Sequence, residues 1–148
     1  MARSVMLDSG PLNRLTHPRK NRDIEAWAEA LLQYGVKLII PEIIDYETRR
    51  SLLWRDLQES LNRLDELKRV LTYAALDTPT MLLAASYWAM VRKKHLQTAG
   101  AKELDIDVIL AAQAVQAGAI VATEDIGHMP RFPITVRLWK DIAIGDFQ

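Results

Sequence analysis

The feature that most constrains this chain is an alternation between short, dense apolar runs and longer segments whose hydrophobic residues recur at helical spacing. SVMLD at 4–8, VKLIIP at 36–41, AIVAT at 119–123 and ITVRLW at 134–139 each have the length and composition of a strand. TYAALD at 72–77 is a weaker run of the same kind. Runs that do not alternate apolar with polar residues belong to strands buried on both faces, as in parallel sheets covered by helices. From Asn21, the positions Ile24, Trp27, Ala28, Leu31 and Tyr34 keep helical spacing and stop at Gly35, a residue suited to a left-handed helix end. Pro41 closes the second strand and opens a helix with Ile43, Ile44, Glu47, Leu52 and Leu53 on or beside one side. Leucines at 57, 61, 64, 67 and 71 continue in helical register, as one long helix or a hairpin of two. Thr78-Pro79 predicts the cap and first turn of a helix from about Pro79 to Leu96. Asp107 reads as the cap of VILAAQAVQAG, which Gly118 ends. Strands alternating with helices require right-handed crossovers, so the expected class is a three-layer α/β/α sandwich around a central, mainly parallel sheet.

The chain of 148 residues, 49% hydrophobic, is expected to form one compact domain over 1–148. Lysine plus arginine equals aspartate plus glutamate at 19 each, so no broad field draws in a polyanion and any nucleic-acid site must be local. The absence of cysteine excludes disulfides, thiolate catalysis and cysteine-ligated zinc. The first apolar run is too short for a signal peptide, and no stretch approaches the length of a membrane span. A soluble cytoplasmic protein with no membrane partner is therefore expected. No glycine-rich loop follows a strand, which removes P-loop and dinucleotide folds. Asp105-Ile106-Asp107 has the spacing of a phosphatase aspartate pair, but no buried strand precedes it.

In sheets of this class, ligands bind outside the carboxyl ends of the strands. Asp8 and Asp125 follow strands there, Glu47 lies in the helix after the second strand, and Asp107 starts a helix. Carboxylates that converge repel one another, and keeping several ionised is costly unless a cation neutralises them. Hard oxygen donors without thiolates point to Mg2+ or Mn2+, ions that assist phosphoryl chemistry. Each acid also has a plainer reading. Asp8 and Asp107 suit N-caps, Glu47 has neighbouring rivals in Glu42 and Asp45, and either Glu124 or Asp125 can be the inward acid. Arg49, Arg50 and Arg55 share the helix of Glu47 and are candidates for contacts to a substrate backbone or a partner's acids. Arg92-Lys93-Lys94-His95 reads as a solvated helix end, and the four tryptophans as core or interface residues.

Four stretches together, LDSGPL at 7–12, PEIIDYE at 41–47, DVILAAQA at 107–114 and ATEDIGHM at 122–129, resemble the PIN-domain nucleases and most closely the VapC-type ribonuclease toxins. The resemblance implies a metal site of Asp8, Glu47, Asp107 and Asp125, with Ser9 and Thr123 as hydroxyl supports and Asp105 as a further ligand or outer contact. It further implies cleavage of single-stranded RNA by a water on Mg2+ or Mn2+, and a role as the toxin of a toxin–antitoxin pair. The implied partners are a second copy in a homodimer and a small antitoxin whose tail occupies the acidic groove. Met129 stands where the family often has an aromatic, and Gly127-His128 leaves the role of the histidine open. The rival reading is a PIN-like module that grips RNA or protein without cutting. Retention of all four acids argues against it.

Overall fold

The structure is a computed structural model and describes residues 3–19, 21–94, 101–127 and 129–148. Its centre is a five-stranded sheet of β1 (Ser4–Leu7), β2 (Lys37–Pro41), β3 (Thr72–Ala74), β4 (Ile120–Thr123) and β5 (Val136–Leu138), in the order β3-β2-β1-β4-β5. Every pairing is parallel, with Val5 opposite Leu38 and Leu7 opposite Ala122 in register. Around it lie α1 (Ser9–Thr16), α2 (Arg22–Gln33), α3 (Glu42–Trp54), α4 (Gln58–Val70), α5 (Thr78–Lys94) and α6 (Ala101–Ala117). This is the expected three-layer α/β/α class, with a sheet that is parallel throughout. Val5, Met6 and Leu7 are fully buried, as are Val121 and Ala122, which is why these two runs lack polar alternation.

The chain builds outward from β1 to β2 and β3, then crosses back to place β4 on the other side of β1. The carboxyl ends of β1 and β4 therefore flank the point where strand order reverses, and a crevice forms there in open parallel sheets. Asp8 and Asp125 lie just beyond those two ends.

Several local boundaries differ from the sequence reading. Asp8-Ser9-Gly10-Pro11 is not only a turn, because Asp8 caps the eight-residue α1, whose Leu12 and Leu15 are buried. Pro11 falls in the first turn, where its missing N–H would have had no partner in the helix. The leucine-rich segment is a hairpin that breaks after Trp54, with Asp56 in the left-handed region at φ 54. The cap of α5 is Asp77, not Thr78, since the Thr80 N–H donates to Asp77 Oδ1 at 2.9 Å. The expected end of that helix at Leu96 lies outside the described residues, as does His95. Asp107 is no cap: α6 starts at Ala101, which places Asp107 in its second turn. Gly35 and Gly118 adopt φ of 87 and 61 and end their helices as expected. The last strand shortens to Val136–Leu138 at the sheet edge. Among the described residues, no helix is long and apolar enough to cross a membrane.

Candidate active site

Asp8 belongs to two elements at once. Its N–H continues the β1–β4 ladder by donating to the Ala122 carbonyl at 3.0 Å, and its own carbonyl accepts from Leu12 N–H at 3.1 Å in α1. The side chain, at the helix start, accepts from the Ser9 N–H at 2.7 Å. Thr123, the buried last residue of β4, donates its hydroxyl to Asp8 Oδ2 at 2.8 Å and accepts from the Asp125 N–H at 3.2 Å. The hydroxyl also lies 2.9 Å from the Asp125 carbonyl. Its single proton favours the carboxylate, because a charge-assisted bond is the stronger. Asp125 then turns the chain back, its Oδ1 accepting from the Gly127 N–H at 3.1 Å, and Gly127 supplies φ 51.

Glu47 reaches the same place from α3. It is half-buried, accepts a hydrogen bond from the Ser9 side chain and feels the charge of Asp8. Burial pushes the Asp8 carboxyl above its ordinary value and the nearby Asp125 adds to this, against the Ser9 and Thr123 hydrogen bonds. Burial likewise raises Glu47, aided by the charge of Asp8 and opposed by the Ser9 bond and Arg50. Asp8, Glu47 and Asp125 thus lie at one strand end with Ser9 and Thr123 between them.

The remaining acids sort differently. Asp107 is half-buried, with Oδ2 3.6 Å from Arg131 Nη2. Asp105 is exposed and borders a groove between α5 and α6 with Met81, Trp88 and Ile109, and no described contact joins it to Asp8. Glu124 accepts from Arg14 Nε and, at 3.2 Å, from Arg14 Nη2, and also from Trp139 Nε1 at 2.7 Å. Asp125, not Glu124, is therefore the neighbour of Asp8. Glu42 and Asp45 are held in a separate network with Tyr73, Lys68 and Arg49. His128 lies outside the described residues.

Arg49 bridges Asp45 at 3.0 Å and Asp65 at 2.8 Å, which occupies it structurally. Arg50 covers the Tyr46 ring at 5.0 Å, while Arg55 lines a cavity of about 570 Å3 with Asn13, His17 and Arg19. Trp27 and Trp139 meet edge to face in the interior, whereas Trp54 is 85% exposed. Gln113 escaped the sequence reading: it accepts from Ile43 N–H at 3.2 Å and donates to the Ala74 carbonyl at 2.7 Å, joining α6 to the start of α3 and the end of β3. Its signal was a lone polar residue within the apolar run ILAAQAV.

Among the described residues, no set of three or more carboxylate, imidazole or thiol groups is gathered tightly enough to hold an ion. The donor chemistry nonetheless fits a hard divalent cation. Burial raises Asp8 and Glu47, with the charge of Asp125 added at Asp8 and that of Asp8 added at Glu47, a cost that a cation removes.

The sequence pattern of the PIN domain matches residues 5–133. No curated protein matches the chain. Among solved structures, VapBC2 from Rickettsia felis, bound to a DNA fragment from its promoter, superposes with a TM-score of 0.76 at 16% identity, covering 92% of this chain and 98% of that one. FitAcB from Neisseria gonorrhoeae gives 0.68 at 20% identity, over 93% and 99% of the two chains. DNA-bound VapBC from Salmonella typhimurium gives 0.69 at 19%, over 94% and 99%. At these identities the likeness speaks to the fold.

Proposed function

The chain belongs to the PIN-domain family, and on that premise we propose that it is a Mg2+- or Mn2+-dependent endoribonuclease acting on single-stranded RNA, the toxin of a toxin–antitoxin pair. The observation that carries the reading is the approach of Glu47 to Asp8 where strand order reverses, two carboxylates raised first by burial, with the charge of Asp125 added at Asp8 and that of Asp8 added at Glu47. Asp45, kept for structure, is given Lys68 and Arg49, whereas Asp8 is met by hydrogen-bond donors and Glu47 by one hydroxyl and the weaker pull of Arg50. Asp8, Glu47, Asp107 and Asp125 would hold the ion. The bound ion supplies a lowered water pKa and neutralises charge on the phosphate.

The protein's own groups supply orientation. Ser9 and Thr123 spend their hydroxyl protons on Glu47 and Asp8, which orients both carboxylates and leaves them further lone pairs for ligation. The cap bond from Ser9 N–H fixes the Asp8 rotamer, and the positive end of α1 favours its ionised form. A nearly neutral chain suits substrate contacts confined to one crevice. The similarity to VapBC complexes supports a small antitoxin partner, and the family resemblance implies a homodimer and a cytoplasmic setting.

The test is cleavage of end-labelled structured and single-stranded RNAs by the purified chain, with Mn2+, with chelator, and with an Asp8→Asn/Asp107→Asn variant. Cutting of single-stranded RNA that falls to the chelator level in the variant supports the reading. RNA binding without cutting under every metal condition sinks it in favour of a PIN-like binding module.

A further inference from the structure

Glu124 lies between Thr123 and Asp125, yet its side chain leaves the acid crevice. It crosses the first turn of α1 directly over Gly10, where a Cβ would overlap Glu124 Cγ and stand 2.8 Å from its Cβ. No side chain larger than hydrogen fits at residue 10 while Glu124 stays in place. Beyond Gly10, the carboxylate takes both Arg14 donors from the next turn of the same helix. It also takes the Trp139 indole N–H at 2.7 Å. Trp139 is itself fixed, buried and edge to face with Trp27 at 5.5 Å, and Trp27 is tied to the Ile142 carbonyl at 3.0 Å.

One side chain therefore fastens the turn after β4 to the helix that Asp8 caps, and to the segment after β5. Both flanking residues of Glu124 depend on that placement. Thr123 must present its hydroxyl to Asp8, and Asp125 must return its N–H to Thr123. We propose that Glu124, seated over Gly10 and held by Arg14 and Trp139, is a positioning residue that sets Thr123 and Asp125 against Asp8. It does so through the backbone of its own turn and touches no substrate. The inference rests on the proposed metal site and extends it to a residue that carries no ligand atom.

The experiment compares wild type with Glu124→Ala, Glu124→Gln and Gly10→Ala. Glutamine keeps an oxygen for the Trp139 N–H and loses the charge that holds Arg14. Two readouts are taken: amide hydrogen exchange at Asp125 and Gly127 in chelator, and Mn2+ affinity by water-proton relaxation. Glu124→Ala and Gly10→Ala are expected to speed exchange at Asp125 and Gly127 about tenfold or more, with Val5 and Val121 unchanged, and to weaken Mn2+ binding about tenfold, the usual cost of losing a ligand's support. Glu124→Gln falls between them and wild type. Exchange confined to wild-type rates overturns the proposal, and so does faster exchange with unchanged Mn2+ affinity, which would make Glu124 a structural pin only. If a variant unfolds, the Gln variant decides. If wild type binds no Mn2+, the metal reading fails by itself and the exchange rates alone judge the placement of the turn.

Discussion

Asp45 and Glu47 stand two residues apart on α3, on different sides of the helix, and their surroundings are opposite. Asp45 is buried and surrounded by donors: Tyr73 Oη at 2.8 Å, Lys68 Nζ at 3.1 Å and Arg49 Nε at 3.0 Å. Burial alone would raise its carboxyl, but the Tyr73 and Lys68 hydrogen bonds and the two cations outweigh it and hold Asp45 below the ordinary value. Glu42 extends the network by accepting from Tyr73 at 3.2 Å and from the Leu76 N–H at 2.9 Å, which fastens the start of α3 to the end of β3. Glu47 has one hydroxyl, one more distant arginine and the charge of Asp8 against it. The fold compensates the acid it uses as a joint and leaves Asp8 and Glu47, at the strand-order reversal, bearing the cost of burial.

The largest effect that can break this contrast is on stability. Asp45→Ala leaves Lys68 and Arg49 facing a gap beside Tyr73. Removing one partner of a buried pair costs about 3–5 kcal/mol, and the partial exposure of both cations lowers the expectation to about 2–3. Thermal unfolding should then fall by roughly 5–10 °C in a chain of this size. A loss under about 1 kcal/mol would mean the network is a surface ornament and the contrast fails.

Next in size is the response to metal. At 100 times its dissociation constant, a single ion at the proposed site would stabilise wild type by about 2.7 kcal/mol. Asp8→Asn should abolish that gain. Tyr73→Phe, which strips the Asp45 network of one donor, should keep it while lowering the baseline by about 1 kcal/mol. Equal metal responses in the two variants would dissolve the distinction between joint and site.

The difference between the regions also explains what could be read from the sequence. Strands β1, β2 and β4 were legible because burial on both faces writes itself as an unbroken apolar run, and strand ends locate the crevice by topology alone. α1 was not, since Ser9-Gly10-Pro11 is poor helix-forming sequence; its helix depends on the Asp8 cap and on burial of Leu12 and Leu15. Asp107 looked like a cap because an aspartate before VILAAQAV has that appearance, whereas the helix begins upstream at Ala101. The choice between Glu124 and Asp125 turned on Arg14, 110 residues away in sequence, and on Trp139, and no local pattern reports such partners. Glu42 and Asp45 were rivals of Glu47 for the same reason: their partners Tyr73 and Lys68 come from β3 and α4.

A smaller effect concerns the unneutralised acids themselves. In chelator at pH 7, Asp8→Asn should raise stability, by up to about 1 kcal/mol, because it removes charge that burial and Asp125 penalise. The gain is limited, since an amide accepts the Ser9 and Thr123 hydrogen bonds less strongly than a carboxylate. Urea midpoints at equal slope measure it. A clear loss instead would show that Asp8 serves the joint between β1 and α1 more than any ligand.

The smallest and sharpest discrimination is the sign of the pH dependence in metal-free protein. Asp8 and Glu47 have folded values above their unfolded ones, near 3.8 and 4.5, so they bind protons more tightly when folded. Their contribution is fully present below those unfolded values and is lost as pH rises through the raised folded values. Asp45 is the reverse: depressed in the fold, it contributes above 3.8 and loses that contribution as pH falls through its folded value. The stability gap between wild type and Asp45→Asn should therefore be widest near neutrality and close on acidification. The advantage of Asp8→Asn over wild type should open as pH rises from about 4 and then level off. Saturating Mn2+ should reverse the second trend and leave the first in place, because an ion at the proposed site would hold Asp8 and Glu47 ionised, whereas Asp45 is already held by Lys68 and Arg49. Two curves with the same slope in chelator would mean that one electrostatic environment, not two, spans α3.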